Sequence, residues 1–99
     1  MRKGIQTPEV ARLFEAILSL KSVEECYRFF GDICTVNEIT SISQRFEVAD
    51  MLCQKKTYIE VAEKTGASTA TISRVNRSLN YGDDGYHLVL ERLAEKESM

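Results

Sequence analysis

TGASTATISRVNRSL, residues 65–79, combines one glycine, a crowd of small hydroxyl residues and two arginines. Ile72, Val75 and Leu79 recur at i, i+3 and i+7, which predicts a helix fastened inward along one stripe. Ser68 stands in position to cap it, so the helix should run from about Thr69 to Asn80. Upstream, Tyr58 to Lys64 reads as a shorter helix carrying Val61 and Ala62. Two helices that cross steeply through a short turn need a small side chain where they meet, which Ala62 supplies. They also need a turn residue that tolerates positive φ, which Gly66 supplies. The pattern predicts a helix-turn-helix over about residues 57–79.

The residues left facing outward are Thr69, Ala70, Ser73, Asn76 and Arg77, with Thr71 and Arg74 toward the flanks. In such units the N-terminal part of the second helix meets base edges while neighbouring groups hold phosphates. Short side chains let a helix approach the groove floor, and Ala or Thr methyls can contact thymine methyls. Thr69, Ala70 and Ser73 are therefore assigned to bases. Thr71, Arg74 and Arg77 are assigned to the backbone, with Arg45 and Tyr58 as further DNA-binding candidates. The alternatives are a purely structural αα-hairpin with solvated threonines, or a dimeric helical module that offers the hairpin to a protein partner.

Charge supports the nucleic-acid reading. The 99-residue chain carries a net charge of −2, yet residues 54–79 hold Lys55, Lys56, Lys64, Arg74 and Arg77 against only Glu60 and Glu63. A cationic segment in an acidic body suits a protein with one face toward phosphate. No composition shift divides the chain, so a single domain over residues 1–99 is expected.

The remaining helices announce themselves through their starts. Thr7-Pro8-Glu9 gives an N-cap, a first-turn proline and an acid suited to the helix dipole. Val10, Leu13, Phe14, Ile17 and Leu18 follow at helical spacing. SVEE at Ser22 and TVNE at Thr35 are capping boxes closed by Glu25 and Glu38. The helix after Ser22 should end near residues 32–34, and the third should run from Val36 to about Gln54. Its apolar residues spread around more than one face, which calls for cover from two sides, the second being another subunit. Residues 80–85 read as a turn, before a last helix with Tyr86, Val89, Leu90 and Leu93 on one stripe. Nothing alternates at period two, so the fold class is all-α.

Cys26, Cys34 and Cys53 form no CxxC pair and lie among apolar residues, so buried reduced thiols are expected. His87, the single histidine, is expected in a solvated terminal helix, which argues against a zinc site and against an enzyme. No cofactor is called for. After Met1-Arg2-Lys3-Gly4 the acids Glu9 and Glu15 interrupt any apolar run, so no signal or membrane segment is read and a cytoplasmic location is expected.

The run QRFEVADMLCQKKTYIEVAEKTGASTATISRVNRSL resembles the bacterial tryptophan repressor and, more closely, its relatives of the YerC/YecD family. The similarity covers about residues 35–79 and rests on GA-x-x-ATI-(S/T)-R with a downstream Ser-Leu. The resemblance implies a six-helix Trp repressor-like fold in an intertwined homodimer, a transcriptional regulator presenting two recognition helices to a near-palindromic operator. It also implies a corepressor site between the third and fifth helices, where Thr35, Arg45, Thr71, Arg74 and Ser78 match the ligand-contact positions. Thr35 matches through a one-residue shift in a loop. The departure is Val75, because tryptophan binders of the family carry glycine after the arginine. An isopropyl group there takes indole volume, and overpacking costs about 1–3 kcal/mol. Tryptophan is therefore not expected as the effector: either another small molecule or none is, with a repressor dependent on tryptophan or another small molecule as the alternative.

Overall fold

The computed structural model describes residues 3–98; Met1 and Arg2, which open the amino-terminal basic run, lie outside the described residues, as does Met99. A short 3-10 turn, Lys3–Ile5, precedes six α-helices: α1 Pro8–Leu18, α2 Val23–Ile33, α3 Val36–Cys53, α4 Tyr58–Thr65, α5 Thr69–Tyr81 and α6 Gly85–Glu97. No strand occurs among the described residues, and the all-α expectation holds. Helix α5 runs one residue beyond its expected end and shortens the turn expected over residues 80–85. Gly82 closes it, donating its N–H to Ser78 O at 2.9 Å.

The helix starts behave as local chemistry dictates. Thr7 Oγ1 accepts from Val10 N at 3.1 Å, and Ser22 Oγ accepts from Glu25 N at 3.1 Å. Thr35 and Glu38 form a reciprocal box: Glu38 N donates to Thr35 Oγ1 at 3.1 Å and Thr35 N donates to Glu38 Oε1 at 2.8 Å. These bonds hold the Glu38 carboxyl below its usual range, Thr35 N–H contributing most. The second box closes differently from the expected form, since Glu25 Oε1 accepts from Lys21 N, one residue before the cap.

The chain forms two compact units, Met1–Ile39 and Thr40–Met99. The second holds the core: Val48, Ala49 and Met51 from α3, Val61 from α4, Ala67 from the turn, and Ile72 and Val75 from α5. Leu52, Ala62, Leu79 and Tyr86 pack around it. In the first unit, α1 and α2 bury no residue. Leu18, Val23, Tyr27 and Val36 are all more than two-thirds exposed. Helix α3 shows both behaviours, with Val36, Ile39 and Ile42 exposed and Val48, Ala49 and Met51 buried.

Two expectations need correction, the buried thiols and the solvated histidine. Cys26 and Cys34 are only half-buried because they line an open apolar groove of the first unit, and Cys53, the last residue of α3, is exposed. Local desolvation, then the nearby Asp50 charge, still pushes the Cys53 thiol up, with Lys55 opposing. His87 is half-buried rather than solvated, its Nε2 3.0 Å from Leu79 O.

Candidate nucleic-acid interface

The turn that orients α5 is built by four residues. Gly66 adopts φ 72°, the left-handed conformation glycine takes without a Cβ penalty, and its N–H donates to Ala62 O at 2.9 Å. Thr65 Oγ1 donates to Val61 O at 2.7 Å and accepts from Ala67 N at 3.1 Å. Gln44 Nε2 on α3 donates to Thr65 O at 3.1 Å and ties the turn to the long helix. Ser68 Oγ then accepts from Thr71 N at 3.1 Å and starts α5.

Ile72 and Val75 are each 1% exposed, so the inward face of α5 is fixed. At 3.6 residues per turn, the opposite face carries Thr69, Ser73 and Arg77 in one row, with Ala70 and Arg74 beside it. All five are exposed. The face is slim near the helix start and cationic toward its end. Asn76, expected outward, is half-buried at the edge of the inward stripe, its carbonyl accepting from Asn80 Nδ2 at 3.0 Å. Thr71 is half-buried on the flank, its Oγ1 accepting from Ser68 Oγ at 3.1 Å. Tyr58, 38% exposed, opens α4.

The candidate ligand residues divide between the units. Arg45 and Ser78, both half-buried, and Thr71 and Arg74 belong to the second unit, while Thr35 belongs to the first, where its hydroxyl caps α3. Val75 is packed in the core with Val48, Val61 and Ile72. No cluster of three His, Cys, Asp or Glu side chains suited to a metal ion occurs among the described residues. No helix among them is long and apolar enough to cross a membrane.

The Trp repressor protein family model matches residues 8–94. The chain belongs to this family. It is 59% identical over 90 residues to the protein YerC of Bacillus subtilis (strain 168), covering 91% of this chain and 86% of YerC. A crystal structure of a TrpR-like protein from Eubacterium eligens ATCC 27750 superposes with a TM-score of 0.91 at 64% identity, over 94% of this chain and 96% of that one. A candidate Trp repressor from Staphylococcus aureus gives 0.90 at 51% identity, over 93% and 92%. The six-helix Trp repressor-like fold read from the sequence is thus the fold of the family. That family is one of regulators, and its likeness here extends well beyond the helix-turn-helix, through α1 and α2 and into α6.

Sequence reasoning missed Gln44. Its signal was present: Gln44, Val48 and Met51 share one helical face, and a polar residue on a buried stripe asks for a hydrogen-bond partner.

Proposed function

We propose that the chain is a sequence-specific DNA-binding regulator that acts as a homodimer. One observation carries the reading: α5 is locked by two fully buried anchors, and its free face is a row of small hydroxyl residues ending in arginines. A helix so fixed can lie in a major groove, with Thr69, Ala70 and Ser73 toward base edges. Arg74, Arg77, Thr71, Arg45 and Tyr58 take the flanking phosphates. Membership of the Trp repressor family supports the same assignment. The exposed apolar faces of α1, α2 and the first half of α3 support the dimer, since a chain that leaves such faces open needs a partner to cover them. On this reading residues 1–99 act as one DNA-binding domain of the dimer, in the cytoplasm.

The regulator is not a tryptophan sensor on this reading. Val75 fills core volume at the position where tryptophan binders keep a glycine, which takes the volume an indole would need beside it.

Two substitutions test the groove assignment. Arg74→Ala weakens binding to every duplex, whereas Thr69→Ala changes the preference among sequences selected from genomic fragments. Wild-type behaviour of both variants on all duplexes removes α5 from the interface.

A further inference from the structure

Two non-glycine residues among those described have positive φ, Lys55 at 66° and Asp84 at 65°. Aspartate reaches this region readily because its short polar side chain bonds locally; lysine has no such help. Lys55 sits where α3 ends in a Schellman turn: Lys56 N donates to Met51 O at 3.1 Å and Lys55 N donates to Leu52 O at 3.0 Å. That left-handed position usually belongs to glycine. The lysine therefore costs stability, and its exposed side chain returns no packing. Lys56, also exposed, doubles the charge. The acid one turn back, Asp50, accepts from Gln54 Nε2 at 3.3 Å.

The turn leads directly into α4, which opens at Tyr58 and packs against α5. In a helix-turn-helix the first helix crosses the DNA backbone. Its entrance is then at the level of the phosphates. We propose that Lys55 and Lys56 form a second phosphate-binding point on duplex DNA, beside the α5 surface, and that lysine occupies a glycine position for its charge. This rests on the DNA-binding reading above and adds to it a phosphate site outside the recognition helix.

Fluorescence anisotropy with a mixed-sequence duplex, across a series of salt concentrations, tests it. For each phosphate that is no longer neutralised, the slope of log affinity against log salt falls in magnitude by about 0.9, or about 1.8 for two symmetric copies. Lys55→Gly is expected to show that shallower slope while raising the melting temperature by about 4 °C, because the backbone strain is relieved. Lys56→Gln shows the slope change without relying on the turn, and Lys55→Arg keeps the wild-type slope. A steep wild-type slope retained by both Lys55→Gly and Lys56→Gln overturns this proposal and leaves the α5 assignment standing. Wild-type protein that shows no salt-dependent DNA binding overturns the DNA reading itself, and the lysine site with it.

Discussion

Replacing Val75 by glycine probes the residue on which the proposed exclusion of tryptophan rests. Val75 is 1% exposed and packs with Val48, Val61 and Ile72. Returning its side chain to water forfeits about 2 kcal/mol of transfer free energy. A residual cavity of roughly 40 Å³ adds about 1 kcal/mol at roughly 24 cal/mol per Å³. Glycine in a helix interior costs about 0.4 kcal/mol more than valine. Val75→Gly should therefore lose about 3–4 kcal/mol, a large part of the stability a small domain possesses. Urea unfolding followed by circular dichroism, at one fixed subunit concentration, measures it. A loss below about 1 kcal/mol with an unchanged m-value would refute the packing argument, because a filled core site cannot be emptied so cheaply. The same packing predicts no heat when wild-type protein is titrated with tryptophan by calorimetry. Micromolar binding there would refute the exclusion even if the stability loss were as large as stated.

Two further outcomes follow from the first unit and its cap. Glu38→Gln should lower the melting temperature near neutral pH. The Glu38 carboxyl is held below its usual range, so its contribution is present above that range and lost as pH falls through the folded-state value. The gap between wild type and variant should close on acidification, and a gap that persists at low pH means the charge is not what the box uses. Val23, Tyr27, Phe30, Val36 and Ile39 line an open apolar groove of about 290 Å³ within the first unit. Tyr27→Lys should raise the dissociation constant of the dimer at least about tenfold in sedimentation equilibrium, the factor that roughly 1.4 kcal/mol brings. A wild-type chain that sediments as a monomer at every concentration rules the dimer out.

What could be read from the sequence divides along physical lines. N-caps are settled within four residues, so Thr7, Ser22, Thr35 and Ser68 could be identified without any tertiary knowledge. The inward stripe of α5 was equally legible, since Ile72, Val75 and Leu79 admit one orientation once Gly66 fixes the turn. Periodicity, however, reports that a face is apolar and says nothing about whether that face is covered. Cys26 on α2 and Cys34 just after its end line the open groove, which is why both are less buried than their apolar neighbourhood suggests. Asn76 fell at a boundary between stripes, where one residue in 3.6 is ambiguous by geometry.

Lys55 was illegible for a different reason. Its sequence neighbourhood, Gln54-Lys55-Lys56, carries no glycine, and the left-handed geometry is imposed by the need to turn α3 into α4. A local rule broken at an exposed basic residue, and apolar faces left open on α1 and α2, have the same meaning. A chain under selection for stability alone would place glycine at the first and polar residues on the second. The core cluster of Val48, Ala49, Met51, Val61, Ala67, Ile72 and Val75 is wholly apolar, and for that reason it specifies the fold without identifying a partner. The departures lie outside it, one basic and one apolar, as the two proposed partners would require: a polyanion at the α3–α4 turn and a second copy of the chain against the first unit.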